Sequence, residues 1–173
     1  FYHPNLYGVD VKLVLPEDAS HCDVVFLALP TAESIKFARI CLERGSKVID
    51  LGAAFRLKER ETWETVYNQQ HYAWELAEEA VYGITELHKE EIKAARLIAN
   101  PGCFSSAAIL GLAPLVKKNI IDLNRIVIDG LSGTAGVGAE LSRAAHHPEI
   151  ANNLVPYNVV NHRHTYEMEQ ELS

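Results

Sequence analysis

Residues 22–50 limit the possible folds more than any other stretch. Cys22-Asp23-Val24-Val25-Phe26-Leu27-Ala28-Leu29-Pro30 is a nearly unbroken apolar run ended by proline, the pattern of a strand buried on both faces. Residues 31–44 then read as a helix: Ile35, Ala38 and Leu42 share one face, and Gly45 stands where a helix commonly stops. Lys47-Val48-Ile49-Asp50 is the next short strand. Strand, helix and strand within about 30 residues make a βαβ unit and call for a parallel sheet. Ligands of such sheets gather outside the C-terminal strand ends. Here those ends are Ala28-Leu29-Pro30 and residues 50–56.

Asn100-Pro101-Gly102-Cys103-Phe104-Ser105-Ser106 repeats the strand-to-helix pattern with chemistry added. Leu97-Ile98-Ala99 is a strand, Pro101 and Gly102 make a tight turn, and an apolar helix follows to about Lys118, with Gly111 and Pro114 weakening its second half. Cys103 therefore falls at a helix N-terminus, where unpaired N–H groups and the helix dipole stabilise a thiolate. Two roles stay open for it: a nucleophile, or a small buried apolar residue.

The remaining chain reads as follows. Residues 9–15 alternate as a strand, and Pro16 breaks it. Residues 57–80, rich in charge and aromatic rings, form a surface excursion with a short helix near 59–67. A helix covers 86–95, and Arg125-Ile126-Val127-Ile128-Asp129-Gly130 is a strand. It runs into Ser132-Gly133-Thr134-Ala135-Gly136-Val137-Gly138, which is either a plain flexible turn or a loop whose backbone approaches a ligand closely. Residues 139–147 are helical and ended by Pro148, residues 152–160 form a loop leading to a strand, and Thr165 caps a last helix. His162-Arg163-His164 puts two imidazoles around a guanidinium; if extended, both face one side. That pair is a general acid/base, a zinc pair or an exposed pair, and no carboxylate or cysteine at ligand spacing supports the zinc reading.

Composition removes several classes. With 16 basic and 23 acidic residues the net charge is 16 − 23 = −7, and no basic run exceeds Lys117-Lys118, which argues against nucleic-acid binding. No apolar segment approaches the roughly 18 residues of a membrane span. Three cysteines without C-x-x-C spacing point away from a disulfide framework or structural zinc and toward a reducing compartment. That compartment is the cytoplasm, with organellar import left open, because the start at Phe1 and the end within a helix read as cuts in a longer protein.

Four runs in this order, Tyr82-Gly83-Ile84-Thr85-Glu86-Leu87, Ala99-Asn100-Pro101-Gly102-Cys103, the residue 132–138 loop, and His162-Arg163-His164-Thr165 with Glu167, Glu169 and Gln170, resemble the N-acetyl-γ-glutamyl-phosphate reductase family of arginine biosynthesis. The resemblance implies an α/β protein. A partial NADP-binding Rossmann domain with a parallel sheet, residues 1–102, lacks its N-terminal part and the phosphate-binding glycine turn. Part of an α+β catalytic and dimerisation domain of the semialdehyde dehydrogenase type follows over residues 103–173. The resemblance further implies a homo-oligomer, dimer or tetramer, acting on a small acyl phosphate with NADP and no metal. Cys103 matches the nucleophile that expels phosphate and forms a thioester, and His162 and His164 match the active-site histidines, with His162 favoured for acid/base work. Asn100, Arg56, Ser132, Gly133 and Tyr157 match the substrate side, Arg56 either pairing with an anion or supporting the site. Leu29, Pro30, Ser132, Gly133 and Gly136 match the cofactor side.

The chain departs from the family pattern at Ala54 (usually aspartate), Phe104-Ser105-Ser106 (Tyr-Pro-Thr), Ala139 (basic) and Tyr166 (proline). Loss of a cation and an anion weakens a doubly anionic substrate's binding or signals a different substrate. The alternatives are therefore a reductase of carrier-bound aminoadipyl phosphate in lysine biosynthesis and a non-catalytic paralogue; retention of Cys103, His162 and His164 together opposes the latter.

Overall fold

The computed structural model describes residues 8, 13–16, 22–137, 142–143 and 146–173. The elements are β1 (Val24–Leu27), α1 (Thr31–Glu43), β2 (Lys47–Asp50), α2 (Arg60–Tyr67), α3 (Trp74–Glu79), β3 (Val81–Tyr82), α4 (Thr85–Ala94), β4 (Leu97–Ala99), α5 (Cys103–Lys117), α6 (His147–Ile150) and α7 (His164–Leu172). The four strands form one sheet in the order β1-β2-β4-β3. Every pairing is parallel, with Val25 opposite Val48, Ile49 opposite Ile98 and Tyr82 opposite Ala99. The expected α/β architecture with a parallel sheet is what the chain adopts.

The first core lies between the sheet and α1. Val48, Leu97 and Ala99 are fully buried and meet Ile35, Ala38, Cys41 and Leu42 of α1. The α1 stripe is the one its periodicity predicts, and Gly45 turns the chain at φ +88°. A second core joins Tyr82 and Ile84 to Ile109 of α5 and Leu172 of α7. This second core seats the last helix against the cysteine-bearing one.

Several expectations change. β1 ends the sheet among the described residues, and its side chains alternate: Leu27 is buried while Val24 and Phe26, on the other face, are exposed. Residues 57–80 are not a surface excursion alone. Trp63 and His71 are buried, the Trp63 indole donates to the Ala53 carbonyl at 2.9 Å, and its ring meets the His71 ring at 4.7 Å. The excursion closes over the core, and α3 was not foreseen.

No strand forms over 125–130. Leu123–Arg125 is a 3₁₀ turn capped by Asp122, and Val127 is 86% exposed. β-branched residues favour strands only where a neighbouring strand takes up their backbone bonds, and no such neighbour occurs among the described residues. Pro148 begins α6 rather than ending a helix, in keeping with its preset φ. No strand follows residues 152–160. Of the expected 9–15 strand, residues 13–15 are non-strand and 9–12 lie outside the described residues, as do Gly138 and Ala139.

Candidate active site

β4 delivers the chain to the sheet's C-terminal edge, and α5 starts at once with Cys103. Gly102 is the N-cap residue at φ −67°, ψ 152°, and no side chain caps the helix. The Gly102 carbonyl accepts from the Ser106 N–H at 2.8 Å and the Ser106 hydroxyl at 3.0 Å, which closes the first turn. Cys103 is exposed at this end, so its sulfur is open to a reactant beside uncapped backbone donors.

α7 lies across the cysteine turn. A Cβ on Gly102 would stand 2.5 Å from His164 Nε2 and 2.6 Å from its Cε1, so only glycine allows the imidazole this near the backbone. The His162 and His164 rings meet edge to face at 4.6 Å, and Phe104 packs edge-on against both, at 5.3 and 6.0 Å. Tyr157 closes the far side of His162 at 5.7 Å. Cys103's turn and both histidines are therefore brought together.

The histidine run is not extended. The His162 carbonyl accepts the Thr165 N–H at 2.9 Å, and His162 Nδ1 accepts the His164 N–H at 3.1 Å. His162 thus does the capping expected of Thr165, which lies inside the helix. With Nδ1 accepting, the neutral ring carries its proton on Nε2. Burial, and then the Arg163 charge, hold the His162 pKa below the usual histidine value. Burial drives His164 further, down to about 4, against the opposing pull of the Glu167 carboxylate. Both rings are neutral at pH 7, and His164 Nδ1 is buried without a hydrogen-bond partner.

Beneath this pair sits Glu167, which the sequence offered only as part of the family-like run and with no role in the site. Glu167 is fully buried. Its Oε2 accepts the Tyr82 hydroxyl at 2.6 Å and the Gly102 N–H at 3.0 Å, and its Oε1 lies 3.4 Å from Arg56 Nη1. Burial and the Glu167 charge push the Tyr82 phenol's pKa upward, so it stays a donor. Arg56 also donates to the carbonyls of Asn100, at 2.9 Å, and Leu51, at 3.2 Å. It is 7% exposed and turned to these internal partners, so of the two roles open to it the supporting one matches its setting.

Residues 1–95 match the family described as semialdehyde dehydrogenase, NAD binding domain, and residues 103–173 match semialdehyde dehydrogenase, dimerisation domain. The chain belongs to the semialdehyde dehydrogenase family. An N-acetyl-gamma-glutamyl-phosphate reductase of Pelotomaculum thermopropionicum is 47% identical over 98% of the chain and 50% of its own length. One of Methanopyrus kandleri is 45% identical over 98% of the chain and 50% of its own length. A Saccharolobus solfataricus protein named LysW-L-2-aminoadipate/LysW-L-glutamate phosphate reductase is 43% identical over 99% of the chain and 50% of its own length. The chain spans about half the length of the curated relatives it matches.

The other predicted positions of this semialdehyde dehydrogenase chain are more scattered. Leu29 and Pro30 follow β1 at the same sheet edge, where Leu29 and Leu51 are 38% and 41% exposed. A Cβ on Gly52 would fill the space there, 3.4 Å from the Leu29 carbonyl and 3.2 Å from Asp50 Oδ1. Glycine at 52 keeps the turn clear of its own chain, and Leu29 and Leu51 leave an exposed apolar ledge beside it, a surface that suits the flat rings of a nicotinamide dinucleotide. Asn100 is half-buried, its carbonyl held by Arg56 and its N–H by the Asp50 carbonyl at 2.8 Å. Ser132, Gly133 and Gly136 are exposed in a loop whose Ser132 hydroxyl donates to the Gly133 carbonyl at 3.2 Å. That loop is tied in through Gly130, where a Cβ would stand 2.6 Å from Phe104 Cδ1. The departure at Ala54 is fully buried, and its carbonyl meets His71 Nε2 at 2.9 Å. Among the described residues no His, Cys, Asp or Glu group could hold a metal ion, and no helix is long and apolar enough to cross a membrane.

Proposed function

We propose that the chain carries the cysteine site of an NADPH-dependent N-acetyl-γ-glutamyl-phosphate reductase, with Cys103 as nucleophile. The observation that carries this reading is the seating of His164 directly on Gly102, which joins the His-Arg-His helix to the cysteine turn. The 47% identity to a relative of that name supports the substrate. Residues 1–102 serve the cofactor and 103–173 the catalysis and the assembly of a homo-oligomer, dimer or tetramer, working in the cytoplasm.

Cys103 attacks as the thiolate, its proton having passed to water, and Sγ forms a bond to the acyl carbon while the C–O bond to phosphate breaks and phosphate leaves with the electron pair. A nicotinamide dinucleotide bound beside this site would supply the hydride that reduces the acyl carbon. The C–S bond then breaks, its electron pair returning to sulfur, and the semialdehyde departs. His162 carries its proton on Nε2, the atom free to donate to the substrate's carbonyl oxygen, while His164 lines the other side and holds the substrate. Asn100, Tyr157, Ser132 and Gly133 contact the substrate. Leu29 and Pro30, with Ser132, Gly133 and Gly136, hold the dinucleotide.

A second reading, reduction of a carrier-bound aminoadipyl phosphate, is favoured by the Saccharolobus solfataricus relative and by Ala139 standing where the family usually has a basic residue. In the full-length protein, NADP reduction with N-acetylglutamate semialdehyde and phosphate tests the first. Absence of phosphate-dependent reduction sinks it, and activity with the carrier-bound semialdehyde instead establishes the second. Turnover undiminished in Cys103→Ser rules out the thioester route.

A further inference from the structure

We propose that Glu167 is a positioning residue for the cysteine site, holding Cys103 in register with His162 and His164 through the Gly102 peptide. The proposal rests on Cys103 being the reacting residue. Glu167 follows His164 by three residues on α7, so both side chains leave one face of the helix. They take hold of the same residue: the imidazole lies on the Gly102 Cα, while the carboxylate accepts the Gly102 N–H at 3.0 Å. Fixing that N–H fixes the plane of the peptide that leads into Cys103.

The grip is anchored on the sheet. Tyr82 from β3 donates to the same oxygen at 2.6 Å, and Arg56 approaches the other at 3.4 Å while also bonding the chain ends at Leu51 and Asn100. One carboxylate therefore links the ends of β2, β3 and β4 to the helix that carries His164. Tyr67 from α2 and His162 also lie within the reach of its charge. A fully buried carboxylate needs this full set of donors, because leaving such a charge unmatched is costly. A glutamate serving only the core would have no need of a bond to the residue before the nucleophile.

The test uses the full-length protein and the variants Glu167→Gln, Tyr82→Phe and, as control, Glu171→Gln. Glu171 has a 4% exposed side chain on the same helix and pairs with His88 at 2.5 Å, away from the cysteine. Glu167→Gln keeps the shape and removes the charge and one acceptor. It should lower kcat about 10- to 100-fold, the range expected of a small misplacement of reacting groups. KM and NADP affinity should hold within about three-fold, and iodoacetamide alkylation of Cys103 at fixed pH should change in rate. Glu171→Gln should leave all of these unchanged. Tyr82→Phe should give a smaller loss, and the double variant less than the sum.

Wild-type kcat and alkylation in folded Glu167→Gln overturn the proposal, as do equal losses in Glu167→Gln and Glu171→Gln. If Glu167→Gln does not fold, Tyr82→Phe decides, and an unchanged kcat and alkylation rate there overturn it. Alkylation needs no turnover. Normal activity of Cys103→Ser with altered alkylation in Glu167→Gln would therefore refute the nucleophile and leave the positioning role standing.

Discussion

Replacing Gly102 by alanine adds one methyl where α7 meets the cysteine turn. The backbone there, φ −67° and ψ 152°, suits alanine, so no torsional strain enters. The cost is steric: the methyl would meet three atoms of the His164 ring at 2.5–2.7 Å, where carbon contacts normally lie about 3.5–4.0 Å apart. His164 is 5% exposed and wedged by Phe104 and His162, so it cannot swing clear without disturbing both. Overpacking of this kind costs about 1–3 kcal/mol, and alanine is a poorer N-cap than glycine by up to about 1 kcal/mol. The expected loss is about 1–4 kcal/mol, read by urea unfolding of the full-length protein. His164→Ala removes the obstacle, so Gly102→Ala in that background should cost only the capping loss. An equal cost in both backgrounds would refute the seating of His164 on Gly102.

Lowering the pH should weaken the fold through His164. Its folded value of about 4 lies below the ordinary 6.5, so the unfolded chain takes up the proton first. Stability is unaffected above pH 6.5 and is lost as the pH falls toward 4, the loss reaching about 2 kcal/mol by pH 5. Unfolding at pH 7 and pH 5 should differ by that much less in His164→Asn than in wild type, and an identical pH dependence would contradict the buried neutral ring. Trp63→Ala should cost about 3–5 kcal/mol, because it empties a fully buried site and orphans the Ala53 carbonyl. A loss below about 1 kcal/mol in thermal or urea unfolding would mean that residues 57–80 do not close the core.

Local pattern carried a long way in this chain. The αβ rhythm of residues 22–50, the Gly45 stop and the Cys103 helix start were legible because each depends on neighbours within a few residues: apolar spacing, a glycine, a proline turn. The 125–130 strand was misread for the converse reason. Ile126-Val127-Ile128 carries strand propensity, but a strand exists only with a partner, and sequence cannot tell whether one is at hand. Thr165 was a sound capping candidate, yet the chain's path before α7 brought His162 Nδ1 and its carbonyl to the helix end first.

The parallel sheet, the main helices and the residue types needed for thioester chemistry follow from the order of residues, since period, turn residues and helix ends are short-range properties. The working geometry does not. Gly102 and His164 are 62 positions apart, and their meeting rests on a glycine with no side chain, a buried glutamate that resembles any other helix-start acid, and a tyrosine from β3. Such contacts join residues whose separation in the chain says nothing about their separation in space. Only packing α7 against the cysteine helix sets His164 on Gly102 and brings the Glu167 carboxylate within hydrogen-bond range of the Gly102 N–H.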